Sequence, residues 1–263
     1  MQITALVENH SHSPLQAKHG LSLYIETQRH KLLFDLGPDR TLFDNARRKG
    51  IDLTQVDTVI LSHGHLDHGG ALARFLSLNT TAKIYAQKSA FEPHYSKLAF
   101  LKVPVGLKRR LAAHPQLILL DENFAIDDEL TLFTVKAAGQ CPSPANDSLY
   151  SADGRDDFRH EQHLLIREQK TALIMGCGHT GVLNILSQAA CTPDLCVGGY
   201  HLYDPLTKKT VPASLLNAIA LGLRSYPQTQ FYTCHCTGQE AYQQLKSQLP
   251  ALSYLACGDT ITL

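Results

Sequence analysis

The stretch Ser62-His63-Gly64-His65-Leu66-Asp67-His68-Gly69-Gly70 gathers four metal-capable side chains within six residues. It follows an apolar, β-branched run at 58–61, so it reads as a turn at a strand end. A tight turn there points His63 and His65 at one ion. Asp67 and His68 lie across the turn and reach a second. Paired ions in hydrolases lie ~3.5–4 Å apart. Gly64, Gly69 and Gly70 permit the tight backbone path. A lone histidine in such a loop would be an ordinary surface residue, but four ligating types in the order H-x-H-x-D-H are a metal-binding constellation.

Two more histidines occupy the same kind of place. Gly176-Cys177-Gly178-His179-Thr180-Gly181 and Thr233-Cys234-His235-Cys236-Thr237-Gly238 each lie between an expected strand and an expected helix. Such Gly-flanked turns are where active-site groups collect in α/β sheets. Cys177, Cys234 and Cys236 read mainly as small residues filling space beneath the site, with soft ligation or redox sensitivity as the alternative. In the 139–160 loop, Arg155 and Arg159 are weighed as a bidentate phosphate clamp against a solvated loop. Glu161 and Asp157 are weighed there as groups that orient a ligand. Lys108-Arg109-Arg110 reads as a solvated face.

The elements that would position these residues alternate along the chain. Strands are expected at 3–7, 21–26 and 31–34, and a helix at 40–49 closed by Gly50. A strand at 58–61 runs into the histidine motif, followed by a helix at 71–78 and a strand at 83–86. Segment 88–128, with Pro93, Pro104 and Pro115, reads as a partly helical insertion over one face. A strand at 130–135 leads into the Gly/Pro/Ser/Asn/Asp-rich loop 139–160, and loops of that length are often functional. A hairpin at 164–167 and 171–175 is followed by a helix at 180–190, a strand at 195–198 and a helix at 213–224. A strand at 230–233, a helix at 239–248 and strands at 252–256 and 260–263 complete the chain. Two groups of strands with helices between them imply two sheets flanked by helices in a single domain, 1–263.

The chain has 263 residues, 44% hydrophobic and 18% charged, as a globular protein does. Lys plus Arg equals Asp plus Glu, 24 against 24, so no basic field favours nucleic acid or an anionic membrane. No apolar run approaches the ~20 residues of a membrane span, and the start MQITALVENH lacks the pattern of a signal peptide. The cytoplasm is the expected location. Seven cysteines, an odd number without a CxxC pair, argue for reduced thiols. The 14 histidines are the unusual feature.

The motif order H-x-H-x-D-H, then an isolated His in a Gly turn, then a last His near the C-terminus, resembles the metallo-β-lactamase superfamily across nearly the whole chain. The resemblance implies an α/β fold, an αββα sandwich of two mixed sheets flanked by helices. It implies that His63, His65 and His179 hold one ion and that Asp67, His68 and His235 hold another. Leu33-Phe34-Asp35-Leu36-Gly37 is similar to the superfamily's first motif, whose Asp orients ligands from behind. The segments at 6–9, 18–27 and 198–202, with LFDLGP, LSHGHLDHGGAL, GCGHTGVLNI and HCTG, resemble one branch of it. That branch includes 7,8-dihydropterin-6-methyl-4-(β-D-ribofuranosyl)aminobenzene-5′-phosphate synthases. There the first of these stretches usually reads EHG, and here Lys18 replaces the acid. Many dinuclear members carry an Asp bridging both ions after the penultimate strand. Here that strand ends Val197-Gly198-Gly199-Tyr200-His201-Leu202, with no Asp. His201 is therefore a candidate acid–base or phosphate-contacting group, against an equal weight for simple packing. Glu8, Asp204 and Asp259 are candidate substitute acids.

The expected function is a metal-dependent hydrolase or related transferase. Asp67 and His201 are the expected catalytic residues, and the substrate a small phosphorylated or heterocyclic molecule. The chemistry is a metal-bound hydroxide or a metal-held diphosphate leaving group. Two divalent ions are expected, zinc foremost, with manganese or iron as alternatives. A catalytically weak ligand-binding sensor of the same fold is the alternative. A di-iron redox protein is disfavoured, because the chain has no room for a flavin unit. Nucleic acid and membrane partners are not expected.

Overall fold

The computed structural model describes residues 1–98, 101–136 and 139–263. Two seven-stranded sheets carry the architecture. The first runs in the order Thr260–Thr262, Gln2–Val7, Ser22–Glu26, Lys31–Phe34, Thr58–Ile60, Lys83–Gln87, Leu117–Leu120. The second runs Ser253–Tyr254, Gln230–Thr233, Leu195–Gly198, Thr171–Ile174, His163–Arg167, Leu130–Phe133, Phe124–Ala125. Both are mixed: each changes from antiparallel to parallel pairing at its middle, after Lys31–Phe34 in one and after Thr171–Ile174 in the other. Parallel strands need helical crossovers that cover the outer faces. Their residues are accordingly buried on both sides, as at Thr58–Ile60.

The period-2 alternation of strand side chains sorts the core into layers. Leu32, Phe34 and Ile60 point inward and meet Leu132, Leu164, Ile174 and Val197 of the other sheet. Leu33, Val59 and Ile84 point outward, under Leu42 of the Thr41–Arg48 helix and Leu72 and Phe75 of the Leu72–Leu78 helix. Leu173 and Phe231 point outward from the second sheet, under Ile185, Leu216 and Leu245 of the helices Val182–Gln188, Ala213–Leu223 and Gln239–Gln248. The result is an αββα sandwich.

Among the described residues of segment 88–128, the helical content is two 3₁₀ turns, Lys88–Phe91 and Arg109–Ala113; the other described residues are largely extended. Tyr95–Leu98 and Leu101–Pro104 form a hairpin, and the apolar run Leu117–Leu120 enters the first sheet beside Lys83–Gln87. The long loop gains order at the 3₁₀ turn Pro144–Ser148, where the Ser143 hydroxyl accepts from the Ala145 N–H. It then adds Leu149–Tyr150 to the hairpin as a third strand. Among the described residues, no helix is long and apolar enough to cross a membrane.

Candidate metal centre

The histidine motif opens where Thr58–Ile60 ends, at the rim of the first sheet. Ser62 to His65 form the turn, and Leu66–Gly69 is a single helical turn. The adjacent strand, Lys31–Phe34, delivers Asp35, which is fully buried. Its carboxylate accepts from the Ser62 N–H at 2.7 Å, the Ser62 hydroxyl at 2.6 Å and His68 Nδ1 at 2.6 Å. One side chain thus pins both ends of the motif. Asp35 adopts φ +63°, a left-handed conformation that non-glycine residues occupy only when their surroundings hold them there. His201 (φ +47°) and His235 (φ +51°) share that state.

Four of the candidate histidines have Nδ1 tied to the protein. Ser62 Oγ donates to Asp35 and accepts from His63 Nδ1 at 2.8 Å. His68 Nδ1 faces Asp35, His179 Nδ1 faces Asn146 Oδ1 at 2.9 Å, and His235 Nδ1 faces Asn9 Oδ1 at 2.9 Å. A proton fixed on Nδ1 leaves the Nε2 lone pair free, which is the ligating tautomer. Those lone pairs converge. Nε2 of His63, His65 and His179 is buried with no hydrogen-bond partner. The three residues offer ligand atoms within 4.8 Å of one another. On the other side, His68 Nε2 lies 3.2 Å from His235 Nε2, and His235 Nε2 lies 3.3 Å from Asp67 Oδ2. A tetrahedral ion with bonds of ~2.0–2.1 Å keeps its nitrogens about 3.3 Å apart. The orphaned nitrogens and these spacings fit two ions.

The backbone around these donors is held by one buried carboxylate from each sheet, Glu161 before His163–Arg167 and Glu8 after Gln2–Val7. Glu161, fully buried, accepts from the His179 N–H and from the N–H and hydroxyl of Thr180. Glu8 accepts from the His235 N–H at 2.6 Å and the Tyr254 hydroxyl at 2.7 Å. Six side chains from three strand ends in two sheets therefore meet at one place.

The metallo-β-lactamase superfamily's family model matches residues 16–159. The chain belongs to this superfamily. An uncharacterised protein of Methanocaldococcus jannaschii is 27% identical to it, over 98% of this chain and 99% of the relative. The 7,8-dihydropterin-6-methyl-4-(β-D-ribofuranosyl)-aminobenzene-5′-phosphate synthase of the same organism is 26% identical, over 92% of this chain and 89% of that protein. Among solved structures, a metal-dependent hydrolase of the β-lactamase superfamily, Tm1679, superposes with a TM-score of 0.83 at 24% identity. That match covers 100% of this chain and 99% of the other, and it bears on the fold alone.

As a superfamily member, the chain departs from expectation where the bridging carboxylate would stand. Glu8 is turned toward His235 and Tyr254. Asp204 accepts from Leu206 N–H and the Thr207 hydroxyl, and Asp259 from Ala256 N–H. The structure gives each of these three acids a local partner of its own. His201 does face the site: its ring centroid lies 4.1 Å from that of His179, and both its nitrogens are buried without a partner. Arg155 pairs with Asp147 and Arg159 with Glu92, both at exposed positions away from the donors, so neither clamps a phosphate there. Asp157 accepts from the Arg159 N–H.

Burial holds the imidazoles of His63, His65 and His179 well below the usual histidine range, so they are neutral at pH 7 and ready to ligate. Burial would also lower His68, but the carboxylates of Asp35 and Asp67 outweigh it and raise that group to about 9. Burial pushes Asp67 upward, yet His68, His19 and His235 overcome it and keep the carboxyl well below its ordinary value.

Two features escaped the motif reading. His19 Nε2 lies 3.3 Å from Asp67 Oδ2, the same oxygen that faces His235. Its signal was present in the KHGLSL segment. The second feature is a buried set behind His65. His94 Nδ1 and His160 Nε2 approach Asp156 Oδ2 at 2.8 Å and 3.2 Å, while the Gly64 N–H donates to His160 Nδ1 at 3.0 Å. Asp156 and His160 are only four residues apart, but no local spacing joins them to His94, so the fold reveals the set. A cavity of about 270 Å³ opens above the donors, with apolar walls from Leu66, Val105, Leu149 and Pro205. No Lys or Arg lines it among the described residues.

Proposed function

We propose that the protein is a two-metal enzyme that hydrolyses, or transfers a group from, a small phosphorylated or heterocyclic molecule. The observation that carries this reading is the convergence of fixed, unpartnered Nε2 atoms beneath a cavity sized for a small ligand. The name of the 26%-identical synthase supports the heterocyclic and phosphorylated part of the reading. His63, His65 and His179 hold one ion, and Asp67, His68 and His235 the other. When bound, the ions supply Lewis acidity and lower the pKa of a coordinated water.

The chain's own residues supply the rest. Asp67 stays ionised under its three histidine neighbours. His201, with both ring nitrogens free of protein partners, contacts the substrate's polar end or moves a proton there. Leu66, Val105, Leu149 and Pro205 hold the apolar or ring portion and exclude water. Because the cavity wall is without Lys or Arg among the described residues, an anionic group would rest on the ions and histidines. Residues 1–263 act as one domain in this reading, since both sheets feed the site. Seven free cysteines suit a reducing compartment such as the cytoplasm.

The test is elemental analysis of protein purified without chelator, then reloaded with zinc or manganese, with turnover screened on phosphodiesters, lactones and a pterin condensation. About two ions per chain, with activity lost in His65→Ala and His235→Ala variants that keep wild-type circular dichroism, is the expected result. No bound metal, or normal turnover in either variant, would overturn the assignment.

A further inference from the structure

The strand end that delivers a bridging carboxylate in many dinuclear members reads Gly198-Gly199 here. A side chain cannot be placed there. A Cβ on Gly198 would lie 2.3 Å from the Met175 carbonyl oxygen. A Cβ on Gly199 would lie 2.4 Å from Cys236 Sγ and 3.4 Å from the Cys177 Cα. The volume an aspartate would need is filled from the neighbouring strand end and turns, by Met175 at Gly198 and by Cys236 Sγ and the Gly176–Cys177 backbone at Gly199.

Cys177 occupies a particular position within that volume. Its Sγ is 3.2 Å from His68 Nε2. It lies within 4.8 Å of ligand atoms of His63 and His68, of His179 and His201, and of His235 and Cys236. His63 and His179 belong to one donor set, His68 and His235 to the other, so a single sulfur faces both. The side chain is buried, and its backbone is fixed on both sides. The Cys177 carbonyl accepts from Cys236 Sγ at 3.3 Å. Gly178, at φ +64°, presses against the Gly199 carbonyl, where a Cβ would approach to 2.6 Å.

From this placement we infer that Cys177 is a thiolate ligand that bridges the two ions in place of the missing aspartate. The inference rests on the two-ion reading above. The dimensions agree: metal–sulfur bonds of ~2.3 Å let one sulfur span ions ~3.5–4 Å apart. The chemistry balances simply. The Sγ–H bond breaks, its proton leaves to solvent, and the sulfur lone pairs form the two bonds to metal. A thiolate at the bridge favours zinc, iron or cobalt over manganese, which prefers oxygen donors. Cys177 thereby sets which metals the site retains.

Cobalt(II) substitution tests this with a readout independent of turnover, because a cysteine thiolate bound to cobalt(II) absorbs in the near ultraviolet by charge transfer. The wild-type chain should take up about two cobalt ions and show that band. Cys236→Ser should keep it. Cys177→Ser, with circular dichroism confirming the fold, should lose it and bind the second ion at least ~10-fold more weakly. Two bound cobalt ions without the band would overturn the bridge and leave the two-ion reading intact. A band that persists in Cys177→Ser, or disappears in Cys236→Ser, would assign the sulfur elsewhere and also overturn it. No bound cobalt would remove both readings. The wild-type and Cys236→Ser spectra decide the matter even if Cys177→Ser fails to fold.

Discussion

His163 shows how the same side chain is used differently a few ångströms apart. It sits on the His163–Arg167 strand, fully buried, with its ring centroid 5.3 Å from that of Phe133. Neither ring nitrogen has a hydrogen-bond partner, and the nearest carboxylate oxygen, of Glu161, is 3.8 Å away. Burial lowers its pKa to about 3. In the unfolded chain the same imidazole takes up a proton below ~6.5. The unfolded state therefore binds more protons than the folded state across the window from ~6.5 to about 3, and stability falls as pH falls through it. The slope is at most ~1.4 kcal/mol per pH unit from this group. His163→Leu should flatten the acid limb of a denaturant-midpoint curve between pH 6.5 and 4. It should leave stability at pH 7 equal or raised by up to ~1 kcal/mol, since a buried group without a partner is removed. An unchanged acid limb would mean that His163 does not titrate in this window. The site histidines share the burial, but in His63, His68, His179 and His235 Nδ1 is tied and Nε2 aimed, and that direction separates a candidate ligand from packing.

At the scale of elements, the turns were legible because chemistry and geometry coincide in a short window. H-x-H-x-D-H and the two Gly-flanked histidine turns each carry donors and backbone permission together. The layer order was legible from alternation, as in Leu32-Leu33-Phe34, where successive residues face opposite cores. What joins distant segments was not legible. The Leu117–Leu120 strand has no local cue for the sheet edge it occupies, and Leu149–Tyr150 pairs with Tyr95–Leu98 across more than fifty residues. The set His94, Asp156 and His160 is non-local in the same way, and it supports the Gly64 backbone between His63 and His65. Burial raises the Asp156 carboxyl, but hydrogen bonds from His160 and His94 outweigh it and hold it below the carboxylate range. Its contribution is therefore present above the unfolded value of ~3.9 and is lost as pH falls below it. Asp156→Asn should cost about 2 kcal/mol of stability at pH 7, as losing hydrogen bonds to a buried charged group does. The difference from wild type should shrink below pH ~4. Equal midpoints for the two proteins at pH 7 would deny the set any structural role.

At the scale of the whole molecule, the donors divide between the sheets. His63, His65, Asp67 and His68 follow a strand of the first sheet, while His179 and His235 follow strands of the second. A ligand that binds only the folded arrangement stabilises it by mass action. Because the donors span the interface between the sheets, bound ions would tie the two halves of the sandwich together instead of stiffening one loop. At free metal ~1,000-fold above its dissociation constant, the gain is ~4 kcal/mol. For a chain of this size that is a rise of about 8–16 °C in the unfolding midpoint. Removing metal with a chelator should lower the midpoint by that amount. It should also reduce amide-exchange protection together at 62–69, 176–181 and 233–238, since those turns would lose a shared cross-link. His235→Ala should reproduce part of the loss and make the midpoint less sensitive to chelator. If protection fell only at 62–69, the ions would be held by the first sheet alone, and His179 and His235 would have to be removed from the donor set.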